Sequence, residues 1–179
     1  MPLVLLDRDG VVNEDSPGFV KCPDEWRPIA GSLCAIARLK RAGFAVAVCT
    51  NQSGLARGLF DRRALDAIHA RMRSEIAALG GTLDGIYVCP HGPDDGCTCR
   101  KPRPGLLLRA MTELGCAATS THYIGDSVRD MEAALSAGCT PVLVRTGNGR
   151  ASEAAARALG VEQVHDDLAS ASAWLVGTS

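Results

Sequence analysis

Short apolar runs alternate along this chain with longer stretches in which apolar residues return every three or four positions. The runs cover residues 3–6, 44–49, 85–88, 123–125 and 141–144, with a weaker one at 161–165. None shows polar alternation, which is the pattern of parallel strands covered on both faces. The stretches between them predict five helices. Ser32 can cap one that carries Leu33, Ile36 and Leu39 and is closed by Gly43. Asp61 can cap the next, with Leu65, Ile68, Met72, Ile76 and Leu79 at helical spacing ahead of Gly80. Pro104 suits the first turn of a third, whose Leu107, Leu108, Met111 and Leu114 precede Gly115. A fourth spans about 127–137 before Gly138, and a short Ala-rich fifth spans 152–159. Strands alternating with helices predict a doubly wound α/β fold, a parallel sheet flanked by helices with right-handed crossovers. The 179 residues hold no repeat and no low-complexity linker, so a single domain over 1–179 is expected. Ligands of such folds sit beyond the carboxyl ends of the strands, which points to the loops after Leu6, Cys49, Val88 and Gly125.

Composition narrows the classes further. Hydrophobic residues make up 46% of the chain, enough to bury a core without disulfides. Lys plus Arg total 19 against 20 Asp plus Glu, so there is no basic excess to draw nucleic acid or an anionic membrane surface. Aromatics are only 4%, leaving the core to Ala, Leu, Val and Ile. No apolar run reaches the roughly 18–20 residues of a membrane helix, and the N-terminus has no signal-peptide pattern. Eight cysteines fall at 22, 34, 49, 89, 97, 99, 116 and 139. Three of them crowd into one eleven-residue stretch, and the other five are scattered and odd in number, unlike a disulfide framework. A cytoplasmic location with reduced thiols is expected, and a monomer.

The predicted strand-end loops carry the chemistry. After the first run comes Asp7-Arg8-Asp9-Gly10, two carboxylates crowded at one mouth of the sheet, whose repulsion calls for a cation or a shared proton. A plain turn is the alternative; a calcium loop fails because the later oxygen ligands and closing Glu of that pattern are absent. After the second run, Thr50-Asn51-Gln52-Ser53-Gly54 offers hydroxyl and amide donors suited to phosphate oxygens, or simply an ordinary polar turn. After the fourth, Gly125-Asp126-Ser127-Val128-Arg129-Asp130 places a third carboxylate at a strand end. Asp126 could close a magnesium site with the first loop, or merely favour a helix N-terminus. Cys89, His91, Cys97 and Cys99 supply three thiolates and an imidazole, the donor set of a closed structural zinc site. A redox pair or inert core cysteines are the alternatives, though a loop holding Pro, Gly and Asp-Asp is too polar for a core. It runs straight into Arg100 and Lys101, so its shape fixes where those cations point.

Taken in order, Asp7 and Asp9, Thr50, Lys101, and Asp126 with Asp130 resemble the motifs of the haloacid dehalogenase-like (HAD) phosphohydrolases across nearly the whole chain. The segments Asp7-Arg-Asp-Gly, Thr50-Asn-Gln-Ser-Gly and Cys89-Pro-His…Cys97-Thr-Cys99-Arg-Lys-Pro resemble the histidinol-phosphatase-like branch, whose members hydrolyse heptose bisphosphate or histidinol phosphate. The resemblance implies a Rossmann-like domain with a minimal cap and a zinc-stapled loop. It also implies Asp7 as nucleophile and Asp9 as acid and base, with Thr50 and Lys101 holding the phosphate oxygens. Mg²⁺ would be held by Asp7, Asp9 and Asp126, with structural Zn²⁺ on the four soft ligands and Asp130 orienting Lys101. For a phosphorylated sugar substrate the expected contacts are Asp15, Ser16, Pro17, Gly18, Asn51, Gln52, Ser53 and Arg100. The sugar-bisphosphate reading places the enzyme in ADP-heptose and lipopolysaccharide-core synthesis; histidinol phosphate is the alternative substrate. Arg57 and Arg129 suit a solvated surface at least as well as a ligand. His69 and His122 read as structural or surface residues. Gly147-Asn148-Gly149 reads as a turn.

Overall fold

The computed structural model describes residues 1–178. Six strands form one parallel sheet: β1 (Leu3–Leu6), β2 (Ala45–Asn51), β3 (Gly85–Cys89), β4 (Thr121–Gly125), β5 (Thr140–Val144) and β6 (Gln163–His165). Their order across the sheet is β3-β2-β1-β4-β5-β6. The chain therefore winds outward from β1 to β3, returns to the other side of β1 and winds outward again. That reversal makes the gap between β1 and β4 the switch point where doubly wound sheets bind ligands.

Six helices cover the sheet: α1 (Ser32–Arg41), α2 (Arg62–Ala78), α3 (Gly105–Leu114), α4 (Val128–Ala137), α5 (Gly149–Ala158) and α6 (Leu168–Gly177). Side chains alternate across each strand, so β1 divides between two cores. Val4 and Leu6 pack with Ile36 and Leu39 of α1, Ile68 and Met72 of α2, and Leu168 of α6. Leu3 and Leu5 pack on the other face with Leu107 and Met111 of α3 and Ala133 of α4. All four β1 residues are fully buried, which explains their unbroken apolar run.

Three expectations need correction. Ser32 does not cap α1; Gly31, at φ +83°, holds that position, and the Ser32 hydroxyl donates to the Val11 carbonyl at 2.8 Å. The sixth helix was not expected. Its sequence Leu-Ala-Ser-Ala-Ser-Ala-Trp-Leu-Val-Gly lacks a polar face, so no amphipathic period marks it. Asp167 caps it by accepting from Ser170 N. α5 also begins earlier than the Ala-rich pattern shows, at Gly149. Asp61 caps α2 as expected, and Ser127 forms a reciprocal capping box with Asp130 at α4.

The segment between β1 and α1 holds only a short 3₁₀ turn, Pro23–Glu25, and no cap domain. It is pinned by Trp26, fully buried among Val11, Val12 and Val20, with the Arg71 guanidinium 5.9 Å from its ring centroid. That anchor holds the loop over the carboxyl end of β1.

Candidate active site

Asp7 and Asp126 are the first residues past β1 and β4, and Thr50 is the last but one of β2, which lies on the other side of β1. Parallel register aligns Leu6 with Val48 and Ile124, so the three loops open at one edge. Lys101 reaches the same point from the connection between β3 and α3. Only 3% of its side chain is exposed, and its Nζ lies 2.8 Å from Asp7 Oδ1, 2.8 Å from Asp130 Oδ1 and 2.7 Å from the Tyr123 hydroxyl. Burial opposes its charge, yet the Asp130 and Asp7 carboxylates outweigh that and hold its pKa above the usual lysine value.

Asp130 is saturated. Its Oδ1 meets Lys101 and Tyr123, while Oδ2 accepts from the Ser127 hydroxyl at 2.7 Å and from the backbone N–H groups of Asp126 and Ser127. Burial would raise its pKa, but Lys101 and these donors hold it below the ordinary carboxylate range. Asp7 and Asp126 are different. Burial, reinforced by their acidic neighbours, pushes Asp7 up to about 8 and Asp126 up to about 6. Asp126 Oδ2 accepts from the backbone and side-chain N–H of Asn148, and Asp7 Oδ1 from Arg8 N. Asp7 Oδ2 and Asp126 Oδ1 accept nothing among the described residues. One carboxylate oxygen from each of Asp7, Asp126 and Asp130 lies within 4.8 Å of the others. Of the three, Asp7 and Asp126 keep unspent lone pairs and unrelieved repulsion, and such hard oxygen donors fit a small divalent cation.

Asp9 faces elsewhere. Its carboxylate takes a fork from Arg8 (2.8 Å to Nη2) and single bonds from Asn13 Nδ2 and Gln52 Nε2, both 2.9 Å. Burial is overcome by the Arg8 charge and these donors, which keep Asp9 below the usual carboxylate pKa. Arg8 itself is buried and its Nη1 lies 3.3 Å from His69 Nε2, so His69 is a packed interior residue. Burial and the Arg8 charge drop the His69 pKa to about 4.

A cavity of about 280 Å³ opens over these groups, lined among others by Asp7, Asp9, Asp15, Ser16, Gln52, Ser53 and Arg100. Pro17 and Gly18 do not line it; Phe19 and Val20 of the same loop do. Phe19 sits at φ +64°, and Arg57 stacks 5.9 Å from its ring centroid. Asn51 lines the cavity but its amide is engaged with the Lys101 backbone, donating to the carbonyl at 3.2 Å and accepting from the N–H at 3.1 Å. Gln52 bridges Asp9 and the Thr50 hydroxyl, which is buried just beneath the cavity. Asn148 and Tyr123 went unrecognised in the sequence. Asn148 was read as part of a turn, and so it is, but one whose N–H groups converge on Asp126. Two glycines permit that approach: a Cβ on Gly10 (φ +84°) or Gly147 (φ +54°) would lie 2.2 Å from Asp126 Oδ2.

Beside the cavity the four soft ligands converge. Cys99 Sγ is 3.3 Å from Cys89 Sγ and 3.5 Å from Cys97 Sγ, and His91 Nδ1 is 3.3 Å from Cys99 Sγ. Bonds of about 2.3 Å to a tetrahedral zinc separate sulfurs by about 3.8 Å, so these spacings fit that ion with slight expansion. Arg100 donates to the His91 carbonyl and Arg103 to the Cys97 carbonyl, tying the loop to the residues around Lys101.

A strand-end carboxylate, a buried lysine and an acidic pair at the switch point of a parallel sheet are the arrangement of a HAD-like hydrolase, and a profile for HAD-hydrolase-like proteins matches residues 98–171. The D-glycero-beta-D-manno-heptose-1,7-bisphosphate 7-phosphatase of Bordetella bronchiseptica is 56% identical over 150 residues, 84% of either chain. The enzyme of that name from Escherichia coli is 42% identical over 155 residues, 82% of this chain and 81% of its own. A crystal structure of the B. bronchiseptica D,D-heptose 1,7-bisphosphate phosphatase with magnesium and phosphate superposes with a TM-score of 0.96 at 50% identity, covering 100% of both chains. The chain belongs to the D-glycero-beta-D-manno-heptose-1,7-bisphosphate 7-phosphatase family.

Proposed function

We propose that this single-domain protein hydrolyses the 7-phosphate of D-glycero-D-manno-heptose 1,7-bisphosphate through an aspartyl-phosphate on Asp7. The observation that carries the reading is the Asp7–Lys101–Asp130 chain of short buried contacts, set beside relatives of that name aligned over more than four-fifths of the chain. Histidinol phosphate is not favoured, since these relatives are named for the heptose bisphosphate.

Asp7 attacks phosphorus in line, forming the aspartyl oxygen–phosphorus bond as the bond to the sugar oxygen breaks. The departing oxygen takes a proton from Asp9, and Asp9 then removes one from the water that cleaves the acyl phosphate, restoring Asp7 and releasing phosphate. In the resting site the Arg8 fork holds Asp9 as a carboxylate. Its acid role requires it to leave that fork and take up a proton from solvent as the phosphate dianion enters and raises its proton affinity. Lys101 and the Thr50 hydroxyl, which accepts from Gln52 and so keeps its own proton to donate, hold the phosphoryl oxygens where charge gathers. Asp130 is a positioning residue, fixing Lys101. Mg²⁺, as in the B. bronchiseptica structure, fits Asp7 and Asp126 with the Asp9 main-chain carbonyl, and when bound it neutralises the charge between nucleophile and phosphate. Zn²⁺ on Cys89, His91, Cys97 and Cys99 would stiffen the loop that aims Arg100 and Lys101.

Phosphate release with Mg²⁺ present, comparing both anomers of heptose 1,7-bisphosphate with histidinol phosphate and with Asp7→Asn as control, tests the reading. A kcat/KM preference of about 10²-fold for a bisphosphate, or about 2.7 kcal/mol of differential transition-state binding, is expected. Turnover by Asp7→Asn would sink the mechanism.

A further inference from the structure

An ammonium group has three N–H donors, and Lys101 spends all of them. Asp7 Oδ1 and Asp130 Oδ1 each accept at 2.8 Å, and the Tyr123 hydroxyl accepts at 2.7 Å. A phosphoryl oxygen entering the site therefore meets no spare donor, and one of the three bonds must be given up. Two of the partners are fixed. Asp130 is held by the Ser127 hydroxyl and by the backbone N–H groups of Asp126 and Ser127. Tyr123 lies on β4, fully buried beside Leu3, Leu5 and Ala133. Its own hydroxyl proton is placed between the Cys49 carbonyl of β2, at 3.3 Å, and Asp130 Oδ1, at 3.1 Å. Asp7 is the partner that opens on the cavity, with 14% of its side chain exposed against 1% for Asp130. It is also the one that loses its charge when it becomes an acyl phosphate.

We propose that Tyr123 is a positioning residue for phosphoryl transfer. With Asp130 it pins two N–H groups of Lys101, so that the third, given up by Asp7 as the acyl phosphate forms, is aimed at a phosphoryl oxygen. The inference rests on the aspartyl-phosphate reading above. Tyr123 does not line the cavity, so it acts through Lys101 and not on substrate. Without the phenol oxygen one N–H loses its acceptor, and the ammonium group is drawn toward the two carboxylates and away from the phosphate. The position suits a neutral acceptor, since it fixes the ammonium group without competing for its charge.

Tyr123→Phe removes one oxygen and keeps the ring in its packing. In that variant kcat for heptose 1,7-bisphosphate should fall about tenfold with KM within twofold of wild type, because the aimed donor meets charge that gathers in the transition state. In the Lys101→Met background the same substitution should cost less than a further twofold, as expected for a residue that works only through Lys101. A tenfold loss in both backgrounds, no loss in the wild-type background, or a loss carried by KM overturns the proposal. A second measurement keeps the native fold. The chain has two tyrosines, Tyr87 and Tyr123, so 3-fluorotyrosine incorporated throughout gives two fluorine signals, and Tyr87→Phe assigns them. The Tyr123 signal should shift when inorganic phosphate binds with Mg²⁺ present, and the shift should vanish in Lys101→Met. An unmoved signal, or one that shifts equally without the lysine, overturns the proposal. Failure of the wild-type enzyme to hydrolyse the heptose bisphosphate would count against the functional reading instead, while the fluorine shift with phosphate still decides the role of Tyr123.

Discussion

Lys101→Met is the most informative perturbation of this site. The substitution keeps the length of the side chain and deletes its charge. The lysine is 97% buried from solvent by its 3% exposure and makes three contacts of 2.7–2.8 Å. Removing one partner of a buried ion pair costs about 3–5 kcal/mol, because the partner charge is left uncompensated. Here two carboxylates, Asp7 and Asp130, lose the cation between them. The deficit must depend on pH. In the wild-type protein Asp130 is held below its ordinary pKa, so its contribution is complete above that value and is lost only in strong acid. Without Lys101, burial raises the same carboxyl above its unfolded pKa, and the folded variant then loses stability as pH rises through the acidic and neutral range. Urea unfolding in EDTA at pH 5 and pH 8 should show a deficit several kcal/mol larger at pH 8. Loss of the charge that meets the phosphoryl oxygens should lower kcat/KM by at least 10²–10³-fold, about 2.7–4 kcal/mol. An equal deficit at both pH values, or activity within tenfold of wild type, would refute the reasoning.

Three other expectations follow from the geometry. His69, with its pKa dropped to about 4 by burial and Arg8, binds fewer protons folded than unfolded between about pH 6.5 and 4. Stability should fall by about 3 kcal/mol as pH drops through that window, and His69→Gln should remove that part of the slope in urea titrations. Gly10→Ala puts a Cβ against Asp126 at a left-handed φ, so Mg²⁺ affinity measured by calorimetry should drop at least tenfold; wild-type affinity would contradict the placement of Asp126. Trp26→Ala should cost about 3–5 kcal/mol by denaturant midpoint and free the loop over β1, visible as faster amide exchange in residues 14–25.

The strands were legible because both faces of the sheet are buried, leaving Leu3–Leu6 without a polar position to confuse the pattern. Helix ends announced themselves where a local device sets them, as with Asp61 at α2 and Gly138 at α4. α6 was invisible because its sides are covered by α1 and the sheet, so its sequence carries no 3.6-residue contrast. Ser32 misled because its hydroxyl is claimed by a carbonyl 21 residues earlier.

The same division runs through the site. Residue type and spacing alone pointed to the carboxylates at strand ends and the four soft ligands, since each motif carries its chemistry within a few residues. Lys101, in contrast, stood out only through the resemblance to the family's motif order. Only the tertiary structure decided that Asp9 meets Gln52, that Tyr123 and Asn148 serve Lys101 and Asp126, and that Asn51 spends its amide on the Lys101 backbone. Those roles arise where strands distant in sequence become neighbours in register. A hydrogen bond between residues 22 or 50 positions apart leaves no mark in either local segment. It is the winding of the sheet about β1 that brings such partners into hydrogen-bonding contact.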